Sequence, residues 1–222
     1  MLIKKAQVRA QAIVVPFLLA ALFALPAATA PTSVSPATHA KSYPAHESHE
    51  DEALSIAVDP FDRPEKTSAF KVNYQGHDLL PIRLIISNDG DNTVMLDNLQ
   101  VEYVTAHRTK LQPATSDDLY RRMAKGGSRP DKPPVQLPIP LPRKNKAGVS
   151  KDTQNEIDSL QFYTVPVTAH STNSGFLFFD VSGISSPEEG AHIYISGMKV
   201  NGKELFYFDI PLEKYLASQA TK

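Results

Sequence analysis

The chain has 222 residues, 18 of them proline, with no cysteine and no tryptophan. Without cysteine it has neither disulfides nor thiolate metal sites, so its core must hold by packing alone. Its 23 basic and 24 acidic residues nearly cancel, and without the three bases of residues 1–30 the balance is 20 to 24, a net charge of −4.

Lys4, Lys5 and Arg9 precede an apolar run over residues 12–25 and the small residues Ala27, Ala28, Thr29 and Ala30. This is the layout of a secretory signal peptide and predicts export to the periplasm or the cell exterior. Pro31 stands just after the expected cut, where cleavage is disfavoured. Residues 12–30 are nearly long enough to span a bilayer, so an uncleaved anchor in the inner membrane is the alternative. No cysteine follows the run, which excludes a lipoprotein anchor. Residues 31–52 carry almost no large apolar side chains and read as a disordered tether. Within them, residues 46–51 (HESHED) offer imidazole and carboxylate ligands of the kind that suit transition metals. With no scaffold to fix their geometry they read as a solvated charge run.

Residues 53–222 read as one domain. Leu54, Ile56 and Val58 alternate with small residues and predict the first strand, ended by Asp59-Pro60. Pro64 opens a short helical turn toward Phe70, with Asp62 as its cap. Residues 79–106 form the most strongly patterned stretch. Ile82, Leu84 and Ile86 alternate with Arg83, Ile85 and Ser87, and Leu99, Val101 and Tyr103 alternate with Gln100, Glu102 and Val104. Period-two alternation marks strands with one buried face. Between them Asp89-Gly90 predicts a tight hairpin turn, and Pro81 must lie near a strand start or at an edge. Asp89, Asp91 and Asn92 offer oxygens that suit Ca²⁺, but without EF-hand spacing or its closing glutamate they read as plain turn chemistry.

Residues 108–111 read as a short strand. Thr115 and Asp118 form a capping box for a helix of about two turns through Met123. Residues 125–148 break the pattern. Six prolines lie between Pro130 and Pro142, which excludes helix and inner strand and predicts extended chain, in part polyproline II. Ser150 caps a second helix through about residue 161. Strands are then expected over residues 163–169, 175–181, 191–200 and 204–210. Asn201-Gly202 forms a type I′ hairpin before the last of these, and a helical turn closes the domain over 212–216. Ile82, Leu84, Ile86, Leu99, Val101, Phe206 and Phe208 are the expected core. In 175–181, Leu177, Phe179 and Val181 share one face and Phe176 and Phe178 the other, so those two aromatics need a cover. Residues 135–141 of the proline segment are the expected cover.

Short strands with turns at roughly ten-residue intervals predict a mainly β fold, an antiparallel sandwich with one or two short helices and a long proline-rich insert. The segments FKVNYQGHDLLPIRLIISNDGD (70–91), LQPATSDDLYRRM (111–123), GFLFFDVSGI (175–184) and ELFYFDIPLEKYL (204–216) resemble uncharacterised bacterial exported proteins with an immunoglobulin-like β-sandwich domain. The resemblance covers most of the chain after residue 54. It implies a fold and an export route and carries no activity.

No catalytic motif is present: no Gly-x-Ser-x-Gly, no His-Glu-x-x-His, no phosphate-cradling glycine loop. The expectation is therefore a non-enzymatic protein without cofactor or metal. Asp180 and Asp209 occupy matching Phe-Phe-Asp and Tyr-Phe-Asp positions. A carboxylate pair on adjacent strands would suit acid–base chemistry, but each reads as an outward residue opposite a core-facing aromatic. His77, His107, His170 and His192 read as surface residues in turns or near strand ends.

Charge is the stronger anomaly. Arg121, Arg122, Lys125, Arg129, Lys132, Arg143, Lys144, Lys146 and Lys151 face Asp131 as the only acid between residues 121 and 151. The first eight are the expected binding residues. Such an insert suits an anionic partner, bound by screening-dependent attraction. In an envelope that partner is an anionic membrane surface, an acidic glycan or another protein, not nucleic acid. A solvated loop, or one paired with acids 47–52, is the bland alternative. The alternative function is a small-molecule, glycan or metal-binding domain.

Overall fold

A computed structural model describes residues 34–124 and 148–220 of the chain. The expected leader, residues 1–30, and the proline segment over 135–141 lie outside the described residues. Among the described residues no helix is long and apolar enough to cross a membrane.

The fold is mainly β. In chain order the elements are β1 (His46–His49), β2 (Leu54–Pro60), α1 (Pro64–Thr67), β3 (Leu79–Asn88), β4 (Val94–Met95), β5 (Gln100–Val104), β6 (Lys110–Leu111), α2 (Ser116–Met123), α3 (Lys151–Leu160), β7 (Ser171–Asp180), β8 (His192–Ser196), β9 (Lys199–Val200), β10 (Lys203–Glu204), β11 (Phe208–Pro211) and α4 (Glu213–Ala220). Three antiparallel sheets result, in the orders β1-β2-β3-β7, β11-β8-β5-β6 and the small β10-β9-β4. Both four-stranded sheets feed one core. Ile56, Leu84, Ile86 and Phe179 come from the first, and Val101, Tyr103, Ile193, Phe208 and Ile210 from the second.

β3 is the centre of the first sheet and all ten of its residues are buried. One face enters the common core. The other is covered as well: Ile85 packs with Ala57 and Ala40, the Ala40 N–H donates to Ser87 Oγ at 2.9 Å, and Arg83 donates to the Ser35 carbonyl at 2.8 Å. Alternation therefore marks two different packing partners here, not a dry face and a wet one. Pro81 sits near the start of β3, as its missing donor requires. Its carbonyl accepts from the Phe61 N–H on the side where β2 has already ended at Pro60, so no ladder bond is lost.

For its described part, residues 34–52, the expected tether over 31–52 is corrected by this cover. Residues 46–49 are an edge strand with His46 paired to Ala57 and His49 to Leu54, and a 3-10 turn at Ala40–Ser42 precedes it. Small residues make the contact: Ala40 and Ala45 are fully buried, and a criterion of large apolar side chains passes over them.

The expected hairpin over 88–92 is also corrected. β3 and β5 belong to different sheets, and the loop crosses from one to the other through β4. Asn88 holds that loop. Its Nδ2 donates to the carbonyls of Asn92, Val167 and Thr168, and its Oδ1 accepts the Gly90 N–H.

Three expected strands differ. Residues 163–169 contribute only a bridge from Val167 to Val94, and Tyr163 and Val165 are exposed. The strand expected over 191–200 breaks at Gly197, which has φ +83° and where an added Cβ would collide with the Asn98 carbonyl oxygen. Beyond the Asn201-Gly202 turn, which has positive φ at both residues and forms the expected β9–β10 hairpin, the 204–210 strand splits between two sheets. Phe206, expected in the core, is 74 % exposed because it falls in that gap.

The other face of β7 carries the helical layer. Phe176 and Phe178 are buried with Phe61, Tyr74, Leu119, Tyr120 and Ile157. The described cover of these aromatics is thus α2, α3 and residues 61–79. α2 begins with the Thr115–Asp118 capping box, and Ser150 Oγ caps α3 by accepting the Thr153 N–H at 3.1 Å. Asp62 does not cap α1; its carboxylate accepts the Tyr215 hydroxyl instead.

Candidate functional site

Two features stand out above the packed layers: the helical hairpin that carries the basic insert, and a cleft beside it.

α2 and α3 run antiparallel. At one end of the pair the Ser116 hydroxyl donates to Gln161 Oε1 at 2.7 Å, and further along Tyr120 donates to the Asp158 carboxylate. Met123 and Val149 pack near the opposite end. The chain between them, residues 124–150, therefore starts and finishes on one hairpin. Lys125, Arg129, Lys132, Arg143, Lys144 and Lys146 lie outside the described residues. Arg121 and Arg122 lie within them and are already engaged. Arg121 pairs with Asp118 one turn back. Arg122 pairs with Asp180 and also donates to the His77 carbonyl at 3.2 Å.

That second pair is where the hairpin meets the cleft. Asp180 ends β7, and its other oxygen accepts from the Ser182 N–H and hydroxyl. Burial pushes the Asp180 carboxyl up, but the Ser182 and Arg122 hydrogen bonds outweigh it and hold it below its ordinary value. The cleft, of about 690 Å³, opens between the β5–β6 loop (105–109) and the β7–β8 loop (181–190). Both loops are pinned. The Thr105 and Thr109 backbones bond each other, and Thr105 Oγ1 accepts the Thr109 N–H. In the facing loop the Ile184 N–H donates to the Val181 carbonyl, the Glu189 N–H to that of Ser186, and the Tyr103 hydroxyl reaches the Pro187 carbonyl from below. Gly190 lies so close to Ala106 that a Cβ there would approach the Ala106 Cβ to 2.9 Å.

The remaining expected residues are scattered. Asp180 and Asp209 lie on strands of different sheets, β7 and β11, and Asp209 pairs with His192. They make no carboxylate dyad. His77 stands in an exposed 3-10 turn and His170 bonds Asp91 at 3.0 Å, whereas His107 lines the cleft. In the 46–51 run, His49 bonds Glu52 through Nδ1 and Glu47 through Nε2. The two ring nitrogens point apart, so the carboxylates cannot share one ion with the ring. Asp89 and Asp91 are each held by a histidine, His39 and His170. Among the described residues there is no group of three or more His, Asp or Glu side chains that could hold a metal.

The cleft is not legible in the sequence, because its walls carry no motif. The one hint is the local composition of 182–189, SGISSPEE, where serines crowd a loop between two apolar strands. No family model, curated protein or solved structure matches the chain.

Proposed function

We propose that the protein is a non-enzymatic, exported interaction module of the bacterial envelope, built on an immunoglobulin-like β-sandwich, whose basic proline-rich insert contacts an anionic partner. The observation that carries the reading is the anchoring of the insert. Its two ends are fixed on one helical hairpin packed against β7, while its six basic residues, from Lys125 to Lys146, have only Asp131 against them. Arg121 pairs with Asp118 on the hairpin and Arg122 with Asp180 on β7, and both serve to fix the base of the insert. A tethered basic segment on a packed base attracts anionic surfaces through screened electrostatics at little cost to the fold. Two four-stranded antiparallel sheets sharing one core support the sandwich, and the apolar run over residues 12–25 supports export.

The test is a variant in which residues 125–147 are replaced by a short glycine–serine link between Ala124 and Gly148. Binding to anionic vesicles and to cell-wall material is measured at low and high salt. The intact chain is expected to bind one of them at low salt and to weaken at high salt, and the variant to lose that binding. Unchanged binding by the variant overturns the reading.

A further inference from the structure

We propose that the cleft between residues 105–109 and 181–190 is a binding site for an uncharged saccharide unit. The site lies wholly in described residues and goes beyond the interaction reading, because it does not involve the insert.

The cleft has braced walls and several free polar side chains. Backbone N–H or carbonyl groups at Thr105, Thr109, Val181, Ser182 and Ser186 brace the two loops. Five side chains of the walls are left free. Among the described residues the hydroxyls of Thr109, Ser185 and Ser186, the imidazole of His107 and the carboxylate of Glu189 have no hydrogen-bond partner. All five line the same cleft. A pinned wall bearing free polar groups is what a binding site needs, since the ordering cost has been met during folding.

The chemistry of those groups selects the ligand. Anions are disfavoured, because neither Lys nor Arg is among the described residues that line the cleft, whereas Asp180 and Glu189 are. Metal ions are disfavoured, because no cluster of three ligands is present among the described residues. Three hydroxyls and an imidazole each donate and accept, and a carboxylate accepts. A sugar ring offers the complement: hydroxyls that both donate and accept, and C–H faces for apolar surface. That apolar surface is supplied by Ala106, Leu111, Ile184 and Pro187, which alternate with the polar groups along the walls. The volume, about 690 Å³, lies within the usual range for small-ligand pockets.

The full chain is titrated calorimetrically with four neutral hexasaccharides, of glucose, mannose, galactose and N-acetylglucosamine, and separately with inorganic phosphate and Ca²⁺. At least one hexasaccharide is expected to bind. The variant Ser185→Ala/Glu189→Ala is expected to weaken that binding about tenfold without lowering the melting temperature, because both side chains are exposed and unpartnered. His107→Ala, on the opposite wall, is expected to weaken it independently. Failure of all four sugars, equal binding by these variants, or binding of phosphate or Ca²⁺ that these variants abolish would each overturn the proposal. The insert-replaced variant should bind the sugar normally, so failure of the insert reading leaves this result standing and the reverse also holds.

Discussion

Glu188 is the one acid that is buried among the described residues, and it stands in the chain between Pro187 and Glu189, which line the cleft. Burial pushes its carboxyl up. Its own N–H pulls the other way, as does Arg63, while Asp62 and Glu189 add repulsion. The sign of the consequence follows from linkage. The fold binds this proton more tightly than the unfolded chain does, so ionisation costs stability. The cost is absent below the ordinary glutamate range, grows as pH rises through the raised folded value, and is constant above it. Glu188→Gln is therefore expected to raise the melting temperature at pH 7.5, with the gain shrinking to nothing near about pH 4. A gain of equal size at every pH would show that the charge is not its cause. Neither Glu188 nor Asn88 is legible in the sequence as a special residue. By sequence Asn88 is the edge of an Asp-Gly turn, yet its amide holds carbonyls at 167 and 168. Turn chemistry is local, and those acceptors are 79 and 80 positions away.

At the level of elements, the segment before residue 53 is the clearest case of structure without sequence signal. Its strand β1 adds an edge to the first sheet, and its carboxylates reach the second. Glu52 accepts the Phe206 N–H at 2.9 Å and Glu47 accepts the Asp209 N–H at 2.8 Å. Between them His49 lies flat on Phe208, ring centroids 3.9 Å apart. The segment thus ties the edges of two sheets and covers Ile85 and Ser87 on β3. A chain beginning at residue 53 is expected to lose about 3 kcal/mol or more, from four lost strand pairs and newly wetted apolar surface. It should melt roughly 10 °C lower and bind a hydrophobic dye. An unchanged melting temperature would restore the tether reading. The elements that are legible in the sequence share a property: each is specified by its neighbours along the chain. The capping box at Thr115, the Ser150 cap and the Asn201-Gly202 turn are local devices of this kind. β1 is specified by its partner β2, and its own residues are polar because it lies at an edge.

For the molecule as a whole, alternation identifies strands but not the sheet each belongs to. The run from 79 to 106 has the pattern of one hairpin, and the structure divides it among three sheets. The same limit applies to β7, where alternation separates the two faces correctly and leaves open what covers the second. β7 is therefore the place to test whether the layers act as one body. Phe179 is fully buried in the core shared by the two large sheets, and Phe178, its neighbour, is fully buried under α2, α3 and Tyr74. Both belong to a strand paired along ten residues with β3, which is buried on both faces. A change on either side of this strand pair must propagate through it, because β3 cannot lose one face and keep its ladder dry. Phe178→Ala and Phe179→Ala are each expected to cost about 3–5 kcal/mol, and each variant should still unfold in a single calorimetric transition. If the helical layer were a separate unit, Phe178→Ala alone would split the transition, with α2 and α3 melting first. The cleft and the base of the insert stand on this same strand through Asp180, so a split transition would also separate them from the core that holds their geometry.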